Sequence, residues 1–337
     1  AIGVAARKGI LIKGGNYIEN LADIDTVVLD KTGTITMGVP QIDHIETIDG
    51  VGDKEMILLA ASAEMHSVHP LAVAVQKYVN AKGWQTPPHA SSETVVARGM
   101  KAVVPPFENY EGGDILVGSR RFMTEEGVGG MPAVDNKTWG KNLLYIAKNG
   151  QYLGFLTIQD PIRPGMKKTL NRMRRLGIDE VVMLTGDSKD VAAEVAQDMD
   201  IDSYYAEILP EEKANYVMKM QKRGNVMMVG DGINDAPALA FSDIGVSLGG
   251  NKTDIAAESA AITIRSEDPA KLYDALHIGR ETMRAINQNF TATIAVNSGA
   301  LGKISPLWAA VIHNTATLAV VLNSVRILGP SMPKRRA

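Results

Sequence analysis

Three runs of branched and aliphatic residues, TVVLD (26–30), EVVMLTGD (180–187) and NVMMVGDGINDAPALA (225–240), break off onto aspartates set in polar turns. A strand covered on both faces is apolar at every position, so these runs predict the central strands of a parallel sheet. Between the second and third lie DVAAEVAQDM and PEEKANYVMKMQKR, whose apolar residues recur at three- and four-residue spacing and predict helices. Strand, helix, strand, helix is the pattern of a doubly wound α/β sheet, whose ligands collect outside the carboxyl ends of the strands. Asp30 stands at such an end.

After Asp30 the pattern is interrupted for about 120 residues, too many for one crossover, which predicts an inserted domain. The expected division is residues 1–40 as a stalk and the start of the sheet domain, 41–157 as the insertion, 158–283 as the rest of the sheet domain, and 284–330 as a shortened C-terminal helical segment. Within the insertion, KEMILLAASAEMHSVHPLAVAVQKYVNAKG reads as two helices, and TVVARGMKAVV, DILVGSRRFM, NLLYIAKNG and QYLGFLTIQD read as strands and turns, an α+β domain. With 337 residues, 45% of them hydrophobic, the chain has material for two such cores. A formal net charge of −3 gives no electrostatic reason to expect a nucleic-acid partner. The lack of cysteine removes disulfides, thiolate metal sites and a cysteine nucleophile. The opening AIGVAARKGI carries neither a signal-peptide pattern nor an initiator Met and reads as the start of a fragment.

From Phe290 to Leu328 only Lys303 is charged before Arg326. ISPLWAAVIHNTATLAVVLN (304–323) is long enough to span a hydrocarbon core, whereas FTATIAVNSGAL (290–301) is not. The basic ending MPKRRA would place that end on the cytoplasmic side if the segment inserts. His313 and Asn314 lie inside the apolar stretch, where polar groups are costly; they read either as ligands of an ion or as helix-packing and water-facing positions.

Phosphoryl transfer to a side chain needs a carboxylate nucleophile, a divalent cation, and cationic or hydroxyl groups on the equatorial oxygens. Asp30 is the candidate nucleophile, and Gly33 leaves the backbone free to turn towards a phosphate. Thr185 can bind a phosphoryl oxygen, Lys213 can neutralise charge, and Asp231 can hold Mg²⁺ together with Asp30, with Asn234 and Asp235 orienting the set.

DKTGTIT, TGD and MVGDGINDAPALA, in this order with an insertion after the first, resemble the heavy-metal-translocating P-type ATPases of the haloacid-dehalogenase superfamily. The resemblance implies that Asp30 is phosphorylated by ATP, that Thr32 gives its carbonyl to Mg²⁺ and its side chain to the phosphate site, that Thr185, Lys213, Asp231, Asn234 and Asp235 complete the pocket, and that Gly186 and Asp187 belong with the residues that bind the nucleotide cofactor. DPIRP (160–164) resembles the return hinge of that family, which makes the insertion a nucleotide-binding domain. SAEMHSVHPLAVAV resembles its adenine-binding element, with Glu64, His69 and Pro70 in the matching positions. ARGM keeps Gly99 but has Ala97 where the family carries a first glycine, and ILVGSRRFM places Gly118 and Arg120 near the nucleotide. The family's actuator domain and first membrane helices have no counterpart here, so the chain is expected to bind ATP and to be phosphorylated without pumping by itself. The expected setting is the plasma membrane, with the catalytic domains cytoplasmic.

The rival readings are a soluble phosphatase using the same aspartyl-phosphate chemistry and a non-catalytic nucleotide-binding remnant. Phosphatases of this kind usually carry a second acid two positions after the nucleophile, where this chain has Thr32. Lys213 could be a solvated helix lysine; His44 and His66 read as surface residues, and Arg172, Arg174 and Arg175 as a solvated helix face. The transported cation is left open among transition metals, tilted towards harder divalent ions by the lack of cysteine, and the resemblance implies export.

Overall fold

The computed structural model describes residues 1–95, 98–132, 142–231, 234–249, 258–300 and 306–326. The chain divides into two compact units, one of Ala1–Ile35 with Arg163–Ala337 and one of Thr36–Ile162.

The first unit is built on a seven-stranded sheet. With strands numbered along the chain, β1 (Ile10–Ile12), β2 (Ile24–Asp30), β9 (Glu180–Leu184), β10 (Ser203–Tyr205), β11 (Asn225–Gly230), β12 (Ile244–Leu248) and β13 (Ile262–Ile264) lie in the order β1-β13-β12-β11-β2-β9-β10. Every pairing is parallel except that of the edge strand β1 with β13. β2 is flanked by β11 and β9, and Val27, Val28 and Leu29 are fully buried, as their unbroken apolar run requires. Burial of each such side chain is worth about 1.5–3 kcal/mol. One face of the sheet is covered by α8 (Lys213–Met220) and α9 (Ala236–Phe241), whose Val217, Ala238 and Leu239 join Val28, Val182 and Met228 in a single cluster.

A 31-residue helix, α10 (Ala270–Ala300), packs on α2 (Gly15–Ala22) and α6 (Met166–Leu176). Arg172 of α6 is not simply solvated: its guanidinium lies 3.7 Å from the centre of the Tyr273 ring on α10. The last helix, α11 (Pro306–Val325), is tied to α10 where Asn323 donates to Asn289 Oδ1 at 2.8 Å and Asn289 donates to Ser324 at 2.9 Å. Among the described residues no helix is long and apolar enough to cross a membrane. The stretch expected to span one is helical from Pro306, but His313, Asn314 and Asn323 interrupt its apolar run.

The second unit is an antiparallel six-stranded sheet in the order β3-β8-β7-β6-β5-β4, made of β3 (Gln41–Thr47), β4 (Ser91–Val95), β5 (Gly99–Val104), β6 (Gly113–Gly118), β7 (Asn142–Lys148) and β8 (Gln151–Gln159). α3 (Asp53–Ala63) and α4 (Pro70–Ala81) form one core with Ile115, Val117, Ile146 and Leu156; Met56 to Ala63 are buried without a break. α5 (Arg120–Glu125) joins a second core, where Phe122 and Met123 pack with Tyr145 and Phe155. The sequence pattern does not reveal β3. Its pairing with β8 slips between Ile42 and His44, so its half-buried isoleucines, Ile42 and Ile45, are three residues apart and the alternation of a strand is lost.

DPIRP divides its work between the units. Asp160 accepts from Thr36 Oγ1 (2.6 Å) and from the amides of Gly38 and Val39 (3.1 Å each), fixing the strand that enters the second unit. Three residues later, Arg163 belongs to the first unit and is 1% exposed.

Candidate active site

Asp30 is the last residue of β2, and the turn that follows folds back at once. Thr32 is extended (φ −72°, ψ 124°), whereas Gly33 takes φ +71°, a left-handed conformation that a side chain would strain. Arg163 pins this turn from below: its Nη2 donates to Gly33 O at 2.9 Å and its Nε to Thr34 O at 3.1 Å, while Nη1 meets both the carbonyl and the carboxylate of Glu267. Buried carbonyls are costly without donors, so this guanidinium fixes the shape of the loop beside Asp30.

Lys213 opens α8 and is buried between two carboxylates, its Nζ 2.6 Å from Asp30 Oδ1 and 2.6 Å from Asp235 Oδ1. The alternative of a solvated lysine is therefore excluded. Asp235 fits because Gly230, at the end of β11, has no side chain; a Cβ there would meet Asp235 Oδ2 at 2.6 Å. The amide of Asp231 also faces that oxygen, at 3.4 Å. Burial pushes the Asp30 carboxyl up from its ordinary 3.8 to about 7, with the charge of Asp235 adding to the rise and Lys213 opposing it. Burial pulls the Lys213 ammonium down, but Asp30 and Asp235 together leave it raised. Two carboxylates, Asp30 and Asp235, thus share one ammonium, and the charge of Asp231 adds to the rise at Asp30.

At the tip of β9, Thr185 donates to Asp187 Oδ2 at 2.6 Å and accepts from the Asp187 amide at 3.1 Å, and Lys31 pairs with the same carboxylate at 2.5 Å. Gly186 lies between them, where a Cβ would stand 3.4 Å from Ile208 O. Asn234 is exposed. All these residues belong to the first unit.

The second unit carries its own cavity, of about 280 Å³. Glu64, Ser67, His69, Arg98, Gly99 and Gly118 are among its walls. Glu64 is buried, and burial raises its carboxyl pKa while a hydrogen bond from Ser67 opposes the rise. His69 caps α4: its Nδ1 accepts from the Leu71 amide at 3.3 Å, which leaves the proton on Nε2. Pro70 is the first residue of that helix, a position that suits its fixed φ. Gly99 and Gly118 face each other across β5 and β6 with no room for a methyl; a Cβ on Gly99 would stand 2.2 Å from Val117 O, and one on Gly118 2.5 Å from Arg98 O.

Not every sequence candidate is brought to a site. Arg120 does not line the cavity: it donates to the Pro132 carbonyl and lies over the Tyr145 ring, 5.9 Å from its centre, and Arg98 stands at the cavity instead. Gly186 and Asp187 sit with the Asp30 cluster and outside the second unit's cavity. His313 is exposed on α11, and among the described residues no group of three or more His, Asp or Glu side chains converges as a metal site. Ala97 lies outside the described residues. Sequence reasoning misses Arg163 and Lys31 as site residues; both fall inside recognised motifs, but neither contact can be read from residue type alone.

A family model described as haloacid dehalogenase-like hydrolase matches residues 24–243. A zinc-exporting P-type ATPase of Mycobacterium marinum and a manganese-exporting P-type ATPase of Mycobacterium tuberculosis are each 39% identical over 97% of this chain and 46% of their own length. The chain thus spans about half the length of the curated relatives it matches. Among solved structures, a zinc-transporting PIB-type ATPase in its E2.Pi state aligns with a TM-score of 0.83 at 29% identity over 97% of this chain and 54% of that one. The catalytic domain of a CPx-ATPase aligns with a TM-score of 0.61 at 28% identity over 82% of this chain and 98% of that one. A parallel sheet with a carboxylate at the tip of its central strand, matched by the family model across β2, β9 and β11, places this chain among the haloacid dehalogenase-like hydrolases, as a homologue of the heavy-metal P-type ATPases.

Proposed function

We propose that this chain is the ATP-binding and phosphorylation half of a P-type ATPase that exports a divalent transition-metal cation. The observation that carries the reading is the Asp30–Lys213–Asp235 arrangement: a carboxylate at a strand tip, shielded from water and already bonded to a fixed ammonium. An Asp30 oxygen attacks the γ-phosphorus of ATP in line, the bond to the β–γ bridging oxygen breaks, and ADP leaves. Lys213 and the Thr185 hydroxyl offset charge on the phosphoryl oxygens, while Asp187 holds that hydroxyl and Lys31. Asp231 lies close enough for its charge to raise the Asp30 pKa, and the negative surplus left after Lys213 suits a hard divalent cation held by oxygen. Asp30, Asp231 and the Thr32 carbonyl are the residues we assign to Mg²⁺, which supplies charge neutralisation on the transferring phosphate. Asn234 and Asp235 orient this set.

In the second unit, Glu64 is assigned to the exocyclic amine of adenine and His69 to its ring, over the glycine pair Gly99 and Gly118. The relatives named for zinc and manganese export support a divalent ion as cargo. His313, on α11, is the residue we assign to such an ion. We further infer association with the plasma membrane through that helical pair, cytoplasmic catalytic units, and dependence on actuator and membrane segments for transport. The test is incubation with γ-labelled ATP and Mg²⁺, then acid quenching, in parallel with Asp30→Asn. Acid-stable, hydroxylamine-labile label absent from the variant supports the reading; label that persists in Asp30→Asn overturns it.

A further inference from the structure

We propose that His66 and His89 form a binding site for a borderline divalent metal ion of the zinc, cobalt and nickel class on the second unit, separate from the Asp30 cluster. Their ring centroids are 5.2 Å apart, with the planes at 79°. Two imidazoles sharing a tetrahedral ion at the usual Zn–N distance hold their centroids about 5 Å apart, so the pair already has the spacing that joint ligation demands.

His89 is also in the right tautomer. Its Nδ1 lies 2.9 Å from the Ser62 carbonyl, which can only accept, so Nδ1 carries the proton and Nε2 keeps its lone pair. Donation of the second ring N–H to a backbone carbonyl is the usual support of a metal-bound histidine. The segment bearing His89 is latched in place by a second contact: Thr86 donates to Gln76 Oε1 at 3.1 Å, and Gln76 in turn donates to Ala61 O at 2.5 Å. Pro87 and Pro88 restrict the same segment, so little order remains to be imposed by an ion. Ala61 and Ser62 belong to the last turn of α3, whose carbonyl end favours a cation. His66 is exposed and His89 half-buried, which leaves the pair open to solvent and to water as the remaining ligands.

The turn from Ser62 to His69 also carries Glu64 and His69 of the cavity. An ion that pins this turn makes nucleotide and metal bind with positive coupling, a consequence that rests on the nucleotide reading above.

The experiment is a Co²⁺ titration of the full chain, followed by visible absorption, for wild type, His66→Phe and His89→Gln. His66→Phe keeps an aromatic ring for the edge-to-face contact but has no nitrogen, and His89→Gln keeps a donor for Ser62. A saturable wild-type spectrum, weakened at least about tenfold in either variant, is expected. Wild-type affinity retained in His66→Phe, or no saturable spectrum in the wild type, overturns the site. Repeating the titration with ADP present tests the coupling alone: a Co²⁺ affinity that ADP leaves unmoved removes the coupling and leaves the site standing.

Discussion

Replacing Asp30 with asparagine should make the first unit more stable, and increasingly so as pH rises. The Asp30 carboxyl titrates near 3.8 in the unfolded chain and near 7 in the folded one. Between those values the folded chain holds a proton that the unfolded chain has released, so the wild type loses stability as pH climbs through this window. Each pH unit of the window is worth about 1.4 kcal/mol, so the roughly two units between pH 5 and the folded value cost about 3 kcal/mol, after which the penalty levels off at about 4 kcal/mol. The amide of the variant does not titrate in this range and carries no such penalty. The variant also loses one partner of Lys213, but that ammonium keeps Asp235 and stays charged throughout this range, so its contribution is a constant offset. The pH-dependent part of the difference is therefore the diagnostic. Hydrogen exchange of the β2 and β11 amides, measured without divalent cations from pH 5 to 8 and corrected for intrinsic rates, should show the gap in protection widening by about 3 kcal/mol, or about a hundredfold. A gap that stays flat, or one that narrows towards pH 8, would refute the assignment of a buried, ionisation-resistant carboxyl to Asp30.

Further expectations concern the groups around it. Arg163→Ala strips the donors from Gly33 O and Thr34 O and should cost about 3–5 kcal/mol in denaturant unfolding of the first unit, with Arg163→Lys recovering only part because an ammonium cannot span both carbonyls. Lys213→Met leaves Asp30 and Asp235 buried together without a cation; the loss of several kcal/mol should be relieved by adding Asp30→Asn, and a purely additive double variant would contradict the shared-lysine geometry. Gly99→Ala forces a methyl onto Val117 O and should destabilise the second unit and weaken ADP binding in the same calorimetric experiment, whereas Arg120→Ala should leave ADP affinity within about twofold.

Much of this architecture is legible because buried parallel strands cannot hide their composition. β2, β9 and β11 announce themselves as unbroken apolar runs, and the polar residue that ends each one is brought to the cluster around Asp30. Arg163 is not legible: its partners are mostly backbone carbonyls, which every residue possesses, so nothing at Gly33 or Thr34 marks them as acceptors. Arg120 misleads for a different reason. The resemblance places it near the nucleotide, but here Ser119 caps a helix that begins at Arg120, whose side chain lies over Tyr145. The His66–His89 pair joins a turn to a proline-bound segment more than twenty residues away, a closeness created by packing on the end of α3 and invisible to local spacing.

The position of β2 also fixes a sequence of events during synthesis. Among the described residues its strand neighbours in the sheet are β9 and β11, both of which lie beyond the 127-residue second unit, whose own strands pair within the stretch from 36 to 162. On a ribosome the second unit can close while neither neighbour of β2 has yet been made. Until then the apolar TVVL run waits as an unpaired strand, so the interval between residue 30 and residue 184 is the period in which the nascent chain is most open to aggregation and most dependent on chaperones.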